Sequence, residues 1–272
     1  MADVRWIYDL TIFLYAASVL FYLNDFLQSN RKVNRLAFGL LAVVWALQTA
    51  FFVSQAITKA YFPVITLFET LFFYSWVLVS LSLAIHYFFR IDLLVFFTNI
   101  IGFVVLVLSM FLPETPIKAV SHILTSELLL THVTLAIFSY GAFSLSMVFS
   151  VMYLFQHKML KERKWTPLLR RLPSLDQLEA YAYRMNMLGV PMLLLSIVLG
   201  TIWGKMVLPE KFLLDTKVFF SLLLLAAYSF WLYKRYRDTW QKRRLAQANI
   251  LAFALLLINF FGVNTSNFHS WW

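Results

Sequence analysis

Five histidines are the residues best suited to chemistry in this chain, because the 272 residues include no cysteine. Thiolate metal sites, disulfides and covalent cysteine chemistry are thereby excluded. Imidazole remains as the soft-to-intermediate ligand, suited to haem iron or zinc. His132 lies five residues after Glu127, so a helix starting there carries it about 7 Å below a membrane surface. His269 lies close to the carboxyl end of the chain, five residues after Asn264, and His122 lies between two apolar runs. His86 and His157 fall about one membrane thickness further along their runs. Depth therefore sorts the histidines: His132 and His269 can meet near one face, His86 and His157 near the other. Two neutral imidazoles on opposite sides of an iron make a common haem ligation. Each histidine is also compatible with an interfacial hydrogen-bonding role. A zinc ion on the outer pair would need a further ligand such as a glutamate. No HExxH spacing is present. Glu69, six residues beyond Pro63, has the position to bond a histidine, orient a substrate group or reach interfacial water.

The elements that hold these residues follow from composition. Apolar residues make up 61% of the chain and charged residues 13%, about half the charge content of an ordinary soluble domain. A globule of this length cannot bury so much apolar surface, so lipid must solvate it. Apolar runs long enough to cross a hydrocarbon core, read from the gaps between charged residues, occur at about 6–28, 36–57, 63–88, 93–112, 127–155, 185–206, 216–233 and 247–263. The first, with Asp9 and Asp25, and the seventh have the shortest charge-free cores. The expected fold is an all-α integral membrane protein, a bundle of about eight transmembrane helices forming a single polytopic membrane domain over 1–272. The first run lacks a basic leader and a small-residue cleavage site, so it reads as a span and not as a signal peptide.

The charge of +10 is a map of sidedness. Seventeen of the 23 lysines and arginines fall in alternate connections, around Arg31–Arg35, at Arg90, from Lys158 to Arg184 and from Lys234 to Arg244. The positive-inside rule places those connections in the cytoplasm and both termini outside. The basic excess thus reads as topological, with no nucleic-acid partner expected. In the longest inner connection, Pro173-Ser174-Leu175-Asp176-Gln177-Leu178-Glu179 looks like a helix start with Ser174 as its N-cap. This stretch reads as a short amphipathic lead into the sixth span. At the other end of the chain, Gly262 suits a helix C-cap, and Trp271-Trp272 an interfacial anchor.

Several of these segments resemble one family. The ending GVNTSNFHSWW is similar to the GVN…HS ending of the cytochrome c assembly proteins, the CcsA, ResC and CcmC group. Phe62-Pro63 through Glu69-Thr70-Leu71 resembles that group's third span, and His132 with Tyr140 its H…Y span. Leu172-Pro173-Ser174-Leu175 through Gly200-Thr201-Ile202-Trp203-Gly204 resembles the stretch leading to its haem-binding motif. The opening MADVRWIYDLTIFLYAASVLFY resembles an eight-span bacterial branch encoded with haem-biosynthesis enzymes. That branch is associated with a lowered level of glutamyl-tRNA reductase.

The resemblance implies a haem-handling protein of the bacterial cytoplasmic membrane, with haem b iron held on the outer face by His132 and His269. Glu69, Trp203 and Asn264 would support that site, and His86 would serve as an inner-face or second-site ligand. Haem, the lipid bilayer and the cytosolic glutamyl-tRNA reductase are the partners it implies, and the reading is of a regulator and not an enzyme. A cytochrome c haem lyase and a haem transporter or delivery protein are the alternatives. Against the lyase, the family's tryptophan-rich loop is reduced here to Trp203-Gly204 and Asp215, and Tyr233 stands where some relatives carry an inner histidine.

Overall fold

The computed structural model describes residues 2–28, 30–59, 61–89, 91–112, 127–163, 169, 171–207 and 216–262. His122, Asn264 and His269 lie outside the described residues, as do Lys118, Lys211 and the terminal tryptophan pair. Eight helices follow in chain order: α1 (Ala2–Gln28), α2 (Arg31–Lys59), α3 (Leu67–Phe89), α4 (Asp92–Met110), α5 (Glu127–Lys161), α6 (Leu175–Val207), α7 (Thr216–Tyr236) and α8 (Lys242–Leu257). A π-helical turn, Ile258–Gly262, continues α8 and ends at the expected glycine. All eight are long and apolar enough to span a membrane. The chain is a multi-pass, all-helical membrane protein, as its apolar runs require, since only internally bonded backbone can cross lipid.

The helices form two compact units. In the first, α1 packs on α2 and α4, and α3 on α2 and α4. The α1 sequence shows why such a bundle suits lipid. Tyr8, Thr11, Tyr15, Ser18, Tyr22 and Asp25 recur at three- and four-residue intervals and are all buried. Phe13 and Leu27, by contrast, are each 71% exposed. The polar stripe faces the neighbouring helices and the apolar face turns outward, the reverse of a soluble helix. Tyr15 donates to Asn99 Oδ1 (2.8 Å) and Ser18 to the Ala37 carbonyl (2.9 Å). Asp25 accepts from Arg171 Nη2 (2.5 Å) and Asn34 Nδ2 (2.8 Å), so the charge that made the first run doubtful is neutralised inside the bundle.

Caps set the helix starts. Asn30 Oδ1 accepts the Lys32 N–H at the start of α2 (3.0 Å). Thr66 and Glu69 form a reciprocal capping box at α3: the Glu69 N–H donates to Thr66 Oγ1 (3.2 Å), and the Thr66 N–H to Glu69 Oε2 (3.1 Å). Ser174 and Gln177 do the same for α6, at 3.3 and 3.0 Å.

The second unit is a ring of α5, α6, α7 and α8, each packed on its sequence neighbour, with α8 closing back on α5. Its first two helices are longer than the apolar runs. α5 continues to Lys161, and α6 begins at Leu175. The amphipathic stretch expected before the sixth span is therefore its continuous first turns. Asp176 and Glu179 are accommodated there by ion pairs with Lys242 (2.7 Å) and Arg235. Deeper in the unit, Asn249 donates to Ser146 and Ser150 (2.8 Å each) and accepts from Asn186 (3.0 Å). Such bonds are worth roughly 0.6 kcal/mol each inside a membrane bundle. Replacing Asn249 by alanine should thus cost about 1–2 kcal/mol, read as a lower unfolding temperature in detergent.

Candidate functional site

His132 occupies the second turn of α5, which begins at Glu127, and is half-buried. Its Nδ1 lies 2.6 Å from the Ser196 carbonyl oxygen of α6. A carbonyl only accepts, so Nδ1 carries the proton and the neutral ring has its lone pair on Nε2. The Ser196 hydroxyl donates back to the His132 carbonyl (2.9 Å), locking the two helices at this level. One turn along α6 stands Gly200. A Cβ there would meet His132 Cε1 at 2.6 Å and Nδ1 at 2.7 Å, closer than atoms approach. The imidazole therefore lies directly over the Gly200 backbone. An Nδ1–H held by a backbone carbonyl is the outer-shell arrangement that orients metal-ligating histidines.

The same end of the second unit holds a polar cluster. Asn259, fully buried in the π-helical turn, donates to Tyr140 Oη (3.1 Å) and Ser221 Oγ (3.4 Å). Lys217 Nζ donates to the Asn259 carbonyl (2.8 Å) and lies 5.9 Å from the centre of the Phe260 ring. π-Helical turns often mark functional positions because they misalign backbone carbonyls and offer them to other donors. Trp203 is buried in α6.

Glu69 belongs to the first unit, and its oxygens are occupied. They accept from Lys59 Nζ (2.6 Å), Tyr61 Oη (3.0 Å) and the backbone N–H groups of Ile65 (2.9 Å) and Thr66. Burial first, then the Glu69 charge, pushes the Tyr61 phenol well above its ordinary pKa, keeping it a donor. None of these donors is a histidine. His86, at the end of α3, lies against Phe38 with ring centres 4.6 Å apart and the rings tilted by 36°. Its Nδ1 lies 3.4 Å from Asp92 Oδ1 but off the hydrogen-bond direction. His157, in the second unit, stacks on Tyr153. Among the described residues no three metal-ligating side chains converge.

Residues 64–269 match the model of the cytochrome C assembly protein family. The chain belongs to the cytochrome c assembly family. The match opens beside the α3 capping box and closes at His269, so it includes every residue of the His132 cluster. Within the family, the chain is 83% identical over 272 residues to Protein HemX of Brevibacillus brevis, covering 100% of both chains. It is 47% identical over 261 residues to Protein HemX of Bacillus subtilis, covering 95% of each. Cytochrome c biogenesis protein CcsA of Gloeobacter violaceus is 24% identical over 303 residues, with 92% of this chain and 90% of that one covered. The chain is thus a HemX-type member of the cytochrome c assembly family.

Reading by residue type missed Ser196, Lys217 and Asn259, and quoted Gly200 only within a longer stretch. Ser196 and Gly200 sit four apart, on one face of α6. That spacing shows a small-residue patch but not the ring laid on it.

Proposed function

We propose that the chain binds haem b in the bacterial cytoplasmic membrane and regulates haem synthesis through the level of glutamyl-tRNA reductase. It acts by binding and not as an enzyme, with both termini outside and the basic connections in the cytoplasm. The observation that carries the haem reading is the His132 imidazole, whose Nδ1–H is committed to the Ser196 carbonyl and whose Nε2 bears the lone pair. His132 fits an axial ligand on that ground. His269 is the second outer ligand in this reading, with Trp203 and Asn264 in support. Haem, when bound, would supply an iron centre, and His132 and His269 are the residues that would hold it. The protein supplies the ligand's tautomer and its fixed position against α6. For Glu69 the support is indirect: its four donors build the start of α3. The regulatory part rests on the family resemblance of the opening segment and needs haem to bind two packings of the bundle unequally.

The test is spectroscopic. Protein purified in detergent should show a low-spin Soret band with two histidine ligands, weakened by His132→Ala and by His269→Ala. A protein that stays colourless with added haemin would defeat the haem reading. A reductase level that responds to the protein but not to haem or to His132→Ala would defeat the coupling alone. The transporter alternative uses His86 as an inner station, and a second haem signal lost only in His86→Ala would favour it. Restored cytochrome c maturation in a strain lacking its own lyase would favour the lyase.

A further inference from the structure

At the end of the first unit where α1 and α3 finish and α2 and α4 begin, the helices and Arg171 surround a half-open cavity of about 1190 Å³. Its carboxylates are committed. Asp25 is held by Arg171 and Asn34, and Asp92 lies 3.7 Å from Arg171 and 3.4 Å from His86. Two further guanidinium groups line the cavity, Arg31 and Arg35. Among the described residues, neither has a carboxylate within ion-pair distance.

Three local effects oppose that placement. Arg31 and Arg35 stand four apart, so they share one face of α2 about 6 Å apart and repel. Arg31 occupies the first turn of a helix that begins there, where the backbone dipole disfavours cations. Both arginines also lack a counter-charge. Membrane sidedness asks only for basic residues somewhere in the connection, not for a pair at the mouth of a cavity. One anion between the two guanidinium groups relieves all three effects, and phosphate matches their forked donors.

The neighbouring surface indicates which phosphate. The next turn of the same α2 face presents Phe38, which lies against His86. Tyr87 and Phe88 line the cavity too, 79% and 74% exposed. An aromatic wall beside paired guanidinium groups at the end of a transmembrane bundle fits an amphiphile better than a free ion. We propose that this cavity binds the phosphate of an anionic phospholipid, shared by Arg31 and Arg35, with its glycerol and first methylenes against Phe38, Tyr87 and Phe88. Both arginines precede residue 64, where the family match begins, and the proposal is independent of the haem reading.

The experiment measures thermal stabilisation of the detergent-purified full chain by short-chain phosphatidylglycerol, short-chain phosphatidylcholine and inorganic phosphate. Phosphatidylglycerol should stabilise the wild type, and the other two should not at equal concentration. R31Q/R35Q should weaken phosphatidylglycerol binding about 30-fold, from about fivefold per arginine. R31K/R35K should retain only part of it, because an ammonium keeps the charge but not the forked donors. R243Q/R244Q, which removes two exposed arginines of the second unit, should leave it unchanged. Equal losses in R31Q/R35Q and R243Q/R244Q would reduce the effect to bulk charge and overturn the site. Phosphatidylcholine or inorganic phosphate matching phosphatidylglycerol would overturn the anionic lipid as its occupant. So would displacement of the lipid by haemin that depends on His86. Should R31Q/R35Q fail to fold, native mass spectrometry of the wild type from mixed-lipid nanodiscs decides. Retained phosphatidylglycerol over phosphatidylcholine supports the proposal, and no preference overturns it.

Discussion

Replacing Gly200 by alanine should strip most of the His132-dependent haem signal while leaving the bundle folded. The added methyl would stand 2.6–2.7 Å from two atoms of the His132 ring, so the ring must leave its place on the Ser196 carbonyl. Overpacking of this kind costs roughly 1–3 kcal/mol. Alanine returns about 0.5–1 kcal/mol by restricting the unfolded chain. The net loss of stability is therefore about 1 kcal/mol, too little to unfold the protein, whereas retention of haem should fall about tenfold. Gly39, in the middle of α2, has nothing within 4 Å of an added Cβ. Gly39→Ala should raise stability by about 0.5–1 kcal/mol and leave the Soret band alone. Parallel Soret titrations and thermal melts of the two variants separate the effects. A Gly200→Ala protein with the wild-type spectrum would show that the ring's position over α6 is not what holds the iron.

The largest loss of stability should come from Glu69→Ala. That side chain is 3% exposed and accepts from an ammonium, a phenol and two backbone amides. Its removal leaves the two N–H groups at the start of α3 without their acceptor, at roughly 1–3 kcal/mol for a buried group. Lys59 is 32% exposed and turns to water, so its share is discounted. The sum is about 3 kcal/mol, visible as a marked drop in unfolding temperature in detergent. Glu69→Gln keeps an acceptor and should lose less than half of that. If both variants melt with the wild type, the capping box contributes nothing measurable to the bundle.

Much of this architecture was legible because membrane solvation acts on short windows. Gaps between charges locate eight apolar runs, and the distance from Glu127 places His132 in depth. Ser174 before Gln177 marks the start of α6. Thr66-Leu67-Phe68-Glu69 carries the same capping signal at α3, where it commits Glu69 to the helix start and not to a histidine. The polar residues of α1 were the misleading case. Asp25 made the first run look doubtful, yet it continues the three- and four-residue spacing of Tyr8, Thr11, Tyr15, Ser18 and Tyr22. In a lipid-solvated helix such a polar stripe marks the buried face.

The ends of α5 and α6 were misjudged for a related reason. Charged turns were assigned to the connection, but Asp176 and Glu179 remain helical because Lys242 and Arg235, on other helices, neutralise them. Local sequence carries the position of each span, its depth and its capping, since each depends on residues within a few positions. It does not carry the rotation and register of one helix against another. That is why the Ser196 carbonyl facing His132 across 64 positions, and Arg171 reaching Asp25 across 146, are decided only when the helices pack.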